Sequence, residues 1–594
     1  MCGLAGIFAY HSDAPSIQQE HLELMQQRML MRGPDGVGYW QDPSARIGLV
    51  HRRLSIIDLS AAAAQPMLSS CGRFSIVFNG EIYNYAALKQ NLQAKGKQFH
   101  THSDTEVILQ LFIEYGPAML QQLRGMFAIA IWDQQQKTLF LARDPFGIKP
   151  LYYADDGRKF YFASQVKALL ALPTISREPC AAGHAGFFIW GHVPEPYTLY
   201  QSIRAFPAGC YGELSQEGHL KINSYFNIAA EIHLAEQESP ALSEAEQQQK
   251  LAQTMLDSIQ AHLVADVPIG FFLSAGIDSS VLLALAKELN YNTQAITLAF
   301  VEYEHSGRDE APLAKQVATQ YQTPWHLTRI NAQQFLKEFS KIIQVMDQPS
   351  IDGVNTYFVS KAAADLGFKV AVSGAGADEL FGGYAIFQRM PRLLKMGRWT
   401  RYLPKLFLQN FLHKLFQKMG REKGQGLLSL LNDEASIYLL LRSIYLPEEL
   451  ANFTNAAFLT EGLTQLNSLA NLRASYTADQ TIHGRVQALE SQWYLRNQLL
   501  RDTDWAGMAH SLEIRVPYVD IEVWRAVLRL KQVANKKTLF QVPKNSLPAE
   551  ILSRPKSGFN IPVTQWWRNL PQANLKYQGT RGWTQQIYRE FSGI

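Results

Sequence analysis

Up to about Phe226 the apolar residues come in short β-like runs separated by turn residues: CGLAGIFAY, RIGLVHRRLSIIDL, FSIVFNGEIYNY, MFAIAIWD, TLFLARD and KFYFAS. A helical period stands out among them, roughly Ser103 to Tyr115, with Asp104 in its first turn. From Glu231 to Lys250 the stretch EIHLAEQESPALSEAEQQQK is polar and poor in strand formers, a joint that leads into a helix. Beyond it the period changes. Apolar strands such as PIGFFL, AITLAF and KVAVSG alternate with helical segments, the pattern of a parallel sheet with crossover helices. The last third reads as mostly helical, and no internal repeat is present. The expected layout is a first domain over 1–226, a linker over 227–250 and a second domain over 251–594.

A chain of 594 residues is too long for one domain. Apolar residues make up 47% and charged residues 18%, an ordinary globular composition, and the net charge of +4 gives no global attraction to nucleic acid or to an anionic membrane. Cys2, Cys71, Cys180 and Cys210 lack CxxC or metal-ligand spacing and are too few for a disulfide scaffold, which fits a reducing compartment. The start has no basic n-region of a signal peptide. The longest apolar run, PIGFFLSAGIDSSVLLALA, carries Asp278, Gly and Ser where a membrane span needs lipophiles. A cytoplasmic protein with neither membrane nor nucleic-acid partners is expected. Between Arg389 and Lys423 ten Lys and Arg face a single acidic residue, Glu422, with apolar residues at helical spacing. This reads as a helix packed on its own domain with a solvated basic face rather than as a membrane-surface element.

Cys2 stands directly behind the initiator methionine. Removal of that methionine would give one residue both a thiol and a free α-amine. The amine, with a pKa of roughly 7.7–8.0 against ~8.5 for the thiol, can accept the thiol proton near neutrality, and the thiolate is the attacking species. The segments that follow supply what hydrolysis of an amino-acid amide needs. Arg32 and Asp35 lie in MRGPDGVG, Arg53 in HRRLSIID, Asn79, Gly80 and Glu81 in NGEIYN, and Asp104 in HSDTEVI. A guanidinium fork suits an α-carboxylate, carboxylates suit an α-ammonium, and the Asn79 amide with the Gly80 N–H suits a developing oxyanion.

In order, MCGLAGIF, RGPD, RLSIID, FNGEIYNY, SDTEVIL, LRGMFAIAIWD and RDPFGIKPLYY resemble the glutaminase domain of the class II, N-terminal-nucleophile glutamine amidotransferases. The resemblance implies an αββα sandwich of two antiparallel sheets. It implies that Cys2 attacks the glutamine side-chain amide, forms a thioester and releases ammonia. Arg53, Glu81 and Asp104 should then bind glutamine, with Asn79 and Gly80 as the oxyanion hole. Two departures are visible: Met31 precedes Arg32 where the family commonly has His, and Gln165 follows Ser164 where it often has Glu.

In the second half, PIGFFLSAGIDSSVLLALAKEL reads as strand, small-residue loop and helix. Ser274, Gly276, Ser279 and Ser280 put amides and hydroxyls at a helix N-terminus, which favours phosphate. Asp278 can hold a cation against phosphate oxygens. No Walker A sequence occurs; the loop resembles the pyrophosphate-binding type, found in enzymes that cleave ATP between its α- and β-phosphates. A second strand end, VAVSGAGADELFGGY, places Ser373, Gly374 and Asp378 towards the same crevice, and two carboxylates there make a Mg²⁺ site. Lys556, in RPKSGFNIPVTQWW, could offset charge on phosphate during adenylyl transfer.

With GMAHSLEIRVPYVD these stretches resemble the synthetase domain of the glutamine-hydrolysing asparagine synthetases. The resemblance covers the whole chain. It adds Leu273 and Leu298 to the ATP-binding residues and implies activation of a carboxylate, aspartate first, as an acyl-adenylate that ammonia attacks. ATP, Mg²⁺ and glutamine are the implied cofactor and substrates, with a lean towards a homodimer. Ammonia must cross the interior, and Met126 is a lining residue at the domain interface or simply core. Family members generally read Ser-Gly-Glu-Gly where this chain has Ala375, and Ala275 replaces a loop glycine. Asp347 or Asp352 could supply the missing carboxylate. The alternatives are the same chemistry on another acceptor (a sugar acid, a peptide or a cyclising substrate) and a non-catalytic homologue.

Overall fold

The computed structural model describes residues 2–238, 242–400, 430–530, 534–554, 562–570 and 578–592, except for the side chains of 399, 400, 564 and 592. The first half holds two six-stranded antiparallel sheets. One runs in the order Ile203–Ala205, Tyr152–Asp155, Lys159–Ala163, Gly3–Ala9, Ile47–Arg53, Gly36–Gln41; the other runs Leu220–Ser224, Cys210–Leu214, Thr138–Arg143, Gly125–Asp133, Phe74–Ile82, Met67–Leu68. Successive side chains on a strand face opposite ways. On Gly125–Asp133, Ala128, Ala130 and Trp132 therefore enter the layer between the sheets, beside Leu4 and Phe8. Phe127, Ile129 and Ile131 meet instead the helices Tyr85–Ala94 and Asp104–Tyr115 on the outer face. Both faces are covered, which is why this strand reads as continuously apolar. Helix Gln19–Arg28 covers the other sheet through Leu22 and Met25. The result is the expected αββα sandwich. The helix expected from Ser103 begins at Asp104, because the Ser103 hydroxyl accepts the Thr105 N–H at 3.1 Å and caps it.

The joint differs from a bare linker. It holds helix Ile228–Gln237 and the start of helix Glu244–His262, whose N-terminus is closed by a capping box between Ser243 and Glu246. Ile228 and Ile232 enter an apolar cluster shared by both halves, together with Leu54, Tyr83 and Met126 from the first and Leu251, Ile269 and Leu495 from beyond it. Helix formation there is driven by this docking face, which a polar-looking segment conceals.

The second half is built on a five-stranded parallel sheet in the order Trp325–Ile330, Gln294–Phe300, Ile269–Phe272, Val370–Val372, Glu513–Arg515. From Ile269–Phe272 the chain first winds out one way, then returns and winds out the other. The order therefore reverses between Ile269–Phe272 and Val370–Val372, and a crevice opens at their carboxyl ends, where such sheets bind ligands. Helices surround the sheet. One of them, Ile386–Thr400, buries Met390 and Leu394 against Ile437 and Tyr438, as expected for the start of the basic stretch; 401–429 lie outside the described residues. Among the described residues no helix is long and apolar enough to cross a membrane.

Candidate active site

Cys2 sits just ahead of strand Gly3–Ala9, whose pairing of Gly3 with Arg52 brings the end of the neighbouring strand, and Arg53, alongside. Three bonds fix its surroundings. Its backbone N–H donates to Asn79 Oδ1 at 2.9 Å, its thiol points to the Leu54 carbonyl at 3.9 Å, and its carbonyl accepts from Arg32 Nε at 3.0 Å. Burial pushes the thiol pKa up; the positive chain terminus and the Leu54 bond oppose this.

Asn79 is fully buried, and with Oδ1 engaged its Nδ2 has no hydrogen-bond partner among the described residues. A buried donor without a partner is costly, and here it belongs to the side chain that holds Cys2. Gly80 next to it is required by close approach, since an added Cβ would lie 2.0 Å from the Met126 carbonyl oxygen. Glu81 is buried with Arg515 Nη2 3.7 Å away; burial and then Glu513 push its pKa well up, against the pull of Arg515. Asp104 accepts the Ile82 N–H at 3.0 Å, and burial raises its pKa to about 6. The Arg53 guanidinium is turned onto the loop that follows it, donating to the carbonyls of Ser60 at 2.7 Å, Ile57 at 3.4 Å and Asp58.

Two contributions from the second half were not legible in the sequence. Arg32 makes a fork of bonds to Asp504, 2.7 and 2.9 Å long, with both side chains buried. Arg515 pairs with Glu513 at 2.7 Å and donates to the carbonyls of His262 at 2.8 Å and Val264 at 2.7 Å on its way to Glu81. Nothing local marks such groups, because their partners lie in the other half of the chain.

The crevice at the strand reversal has a volume of about 600 Å³. Leu273, Ser274, Gly276, Asp278, Ser279, Leu298, Ser373, Gly374 and Asp378 line it, as the sequence led one to expect, and so do Ala275 and Ala375. Ser280 is not in its wall: the hydroxyl bonds back to the Gly276 carbonyl at 2.8 Å inside the helix Ile277–Glu288. Ser274 and Ser279 fold the loop on itself, with hydroxyls 2.9 Å apart and the Ser274 N–H on Ser279 Oγ at 3.1 Å. Gly374 lies against this turn, where a Cβ would come 3.0 Å from Asp278 Cβ.

Asp278 and Asp378 both close on the ammonium of Lys536, Asp378 at 2.9 Å. Burial lowers the lysine pKa and the two carboxylates more than restore it. Lys536, in NKKTLF, carries no sequence signal beyond its charge. Lys556 lies outside the described residues. Asp347 is not an acceptor-site carboxylate: it caps helix Val166–Leu169 of the first half, accepting the N–H groups of Val166 at 2.8 Å and Lys167 at 3.1 Å. Asp352 does line the crevice. Among the described residues no group of three or more His, Cys, Asp or Glu could alone hold a metal ion.

Residues 1–226 match the glutamine amidotransferase domain family and residues 250–581 the asparagine synthase family. The chain is 32% identical to asparagine synthetase [glutamine-hydrolyzing] 1 of Bacillus subtilis, over 96% of this chain and 88% of that one. It is 32% identical to asparagine synthetase B [glutamine-hydrolyzing] of Escherichia coli, over 67% of this chain and 68% of that one, and 29% identical to amidase chry2 of Gibberella zeae, over 65% and 60%. With a glutaminase-type half and a synthase half in this order on one chain, and 96% of its length matched by the Bacillus subtilis relative, the protein belongs to the family of glutamine-hydrolysing asparagine synthetases.

Proposed function

We propose that the chain hydrolyses glutamine at Cys2 and delivers the ammonia to a carboxylate activated as its adenylate, aspartate being converted to asparagine. The observation that carries this reading is the closure of Asp278 and Asp378 on Lys536 at the mouth of the crevice. Two carboxylates that follow adjacent strands, with the ammonium of Lys536 between them in the crevice wall, suit a polyphosphate with its counter-ion.

In the first half the Cys2 thiolate attacks the glutamine amide carbon. Its proton goes to the α-amine of Cys2 once Met1 is removed, and Asn79 Nδ2 with the Gly80 N–H receives the oxyanion. Glu81 and Asp104 take the substrate ammonium and Arg53 its carboxylate. Arg53 must then exchange the carbonyls of Ser60, Ile57 and Asp58 for the substrate carboxylate. Ammonia departs, and water hydrolyses the thioester to glutamate.

In the second half an acceptor carboxylate oxygen displaces pyrophosphate from the α-phosphorus of ATP. Ammonia then attacks the acyl carbon, AMP leaves and the nitrogen loses a proton. The N-terminus of helix Ile277–Glu288 and the Lys536 ammonium hold the phosphates; Lys556 adds a cation. Asp278 and Asp378 fit Mg²⁺, which takes one or two carboxylates and fills its remaining positions with phosphate and water. When bound, it would offset phosphate charge. Asparagine, AMP and pyrophosphate should form in equal amounts from glutamine, ATP and aspartate. Glutamine hydrolysis without pyrophosphate release from ATP in the presence of any carboxylic acid would refute the reading.

A further inference from the structure

Residues 54–60 form the loop between Arg53 and the short turn Ala61–Ala63, and they meet the glutamine site at three places. The Leu54 carbonyl faces the Cys2 thiol at 3.9 Å. The carbonyls of Ile57, Asp58 and Ser60 carry the Arg53 guanidinium. The Asp58 carboxylate accepts the His102 N–H at 2.8 Å, two residues ahead of Asp104. Glutamine carries its carboxylate and its ammonium on one carbon, so Arg53 and Asp104 must stand at a fixed spacing. Asp58 spans them. It is buried, and its φ of +51° lies in the left-handed region, which a residue other than glycine keeps only where its surroundings hold it.

What holds Asp58 comes from the second half. Asp266 Oδ2 accepts the Asp58 N–H at 2.8 Å, and the Asp266 N–H donates to the Ile56 carbonyl at 2.9 Å. A second tie lies at the start of the loop. Lys369 Nζ meets Asp35 Oδ2 at 2.8 Å, and the same oxygen accepts the Ser55 N–H at 2.8 Å. The Asp35 N–H donates to the Arg53 carbonyl at 3.0 Å. Asp266 stands three residues ahead of strand Ile269–Phe272, and Lys369 directly ahead of Val370–Val372. The loop is thus anchored at the amino ends of two adjacent strands whose carboxyl ends open on the phosphate crevice. Docking of the halves does not need these bonds. Val264, Ala265 and Val267, on either side of Asp266, pack against the shared apolar cluster, while Asp266 itself is exposed.

We propose that Asp266 is a positioning residue for glutamine hydrolysis: through Asp58 it fixes the loop that sets the spacing of Arg53 and Asp104, so the second half of the chain sets the glutamine affinity of the first. The inference rests on the reading of Cys2, Arg53 and Asp104 as the glutamine site. Asp266 itself touches neither thiol nor substrate. Its loss lets the loop sample other shapes, and the apparent affinity falls with the fraction of molecules that keep the competent one. Cys2 and Asn79 hold each other directly, through the 2.9 Å bond between them, so the chemistry on glutamine once bound stays as it was.

The test compares glutamate release from glutamine by the full chain as wild type, Asp266→Ala and Asp266→Asn. The Ala variant loses the acceptor for the Asp58 N–H, and should raise KM for glutamine by about three- to tenfold with kcat within about twofold. Asp266→Asn keeps a side-chain oxygen for that N–H and should restore most of the affinity. Alkylation of Cys2 by iodoacetamide, followed by mass spectrometry of the N-terminal peptide, supplies a control, because this reagent has neither α-carboxylate nor α-ammonium. Its rate should be the same in all three proteins. An unchanged KM in the Ala variant overturns the inference, as does an Asn variant as impaired as Ala, or an alkylation rate that changes along with KM. A wild type that releases no glutamate from glutamine overturns the glutaminase reading beneath it.

Discussion

At the residue scale, Cys2 and Glu379 make opposite demands on a proton. Cys2 must lose one, and every bond around it fixes its backbone rather than its sulfur, apart from the long contact to Leu54. Cys2→Ala should therefore leave the fold intact and lower glutamate release from glutamine by about three orders of magnitude or more, while ammonium-supported pyrophosphate release continues. Full glutamine-dependent turnover by this variant would remove Cys2 from the chemistry. Glu379 must keep its proton. It is fully buried beside Asp378, and burial, then Asp378 and Glu490, raise its pKa from 4.5 to about 8. The native state thus holds this proton more tightly than the unfolded chain does. The resulting stability is complete below about pH 4.5 and is lost as pH rises through 8, at up to about 1.4 kcal/mol per pH unit. Glu379→Gln keeps an acceptor for the Tyr384 hydroxyl, now at 3.0 Å from Oε1. Thermal unfolding should show the variant gaining on the wild type from pH 5 to 8; parallel curves would mean that Glu379 is ionised throughout. Residues such as Cys2, Asn79 and Asp278 were legible because each sits in a short motif with its chemistry beside it. Lys536 and Arg515 were not, since a single cation acquires meaning only from carboxylates that folding brings to it.

At the scale of elements, strands of the first half read clearly where both faces are buried, as in Gly125–Asp133, while helix Ile228–Gln237 was hidden in a polar joint because only Ile228, Ala229, Ile232 and Ala235 are buried. Contacts between elements of opposite halves were invisible in the same way, and they matter most at Arg32. This residue follows helix Gln19–Arg28 in a short turn and reaches Asp504 on helix Arg501–Met508. The pair is buried, so removing one partner strands the other charge, at a cost of about 3–5 kcal/mol. Asp504→Ala should lower the unfolding free energy by about that much. It should also raise KM for glutamine, because Arg32 carries the Cys2 carbonyl on its Nε. An unchanged midpoint in urea would show that the guanidinium finds water instead. Strand Glu513–Arg515 links the halves in a second way. Its Arg515 carbonyl accepts the Ser373 N–H of the phosphate loop at 2.8 Å, while its side chain approaches Glu81, so one short strand touches both sites.

For the whole molecule the decisive feature is what lies between the sites. The apolar cluster shared by the halves includes Leu54, whose carbonyl meets the thiol, then Tyr83, Met126 and Phe146, and Leu273, which lines the crevice. The sequence suggested Met126 either as a lining residue or as core, and it is wholly buried in this cluster. A neutral ammonia molecule crosses such a layer far more cheaply than ammonium, whose charge would have to leave water. Ammonia released beside Cys2 is therefore favoured to stay neutral and move inward, whereas ammonia that escapes is protonated and diluted. The consequence can be measured without altering a residue. Glutamine labelled with ¹⁵N in its side chain and an equal concentration of unlabelled ammonium chloride are supplied together near pH 7, and the amide product is analysed by mass spectrometry. Internal transfer predicts a product that carries almost only ¹⁵N. Through-solvent transfer predicts a label that falls in proportion to added ammonium, because the two nitrogen pools would mix before reaching the adenylate. The second pattern would make the shared cluster a mere seam between two independent enzymes, and the buried Arg32–Asp504 and Arg515–Glu81 contacts would then serve only to hold the halves together.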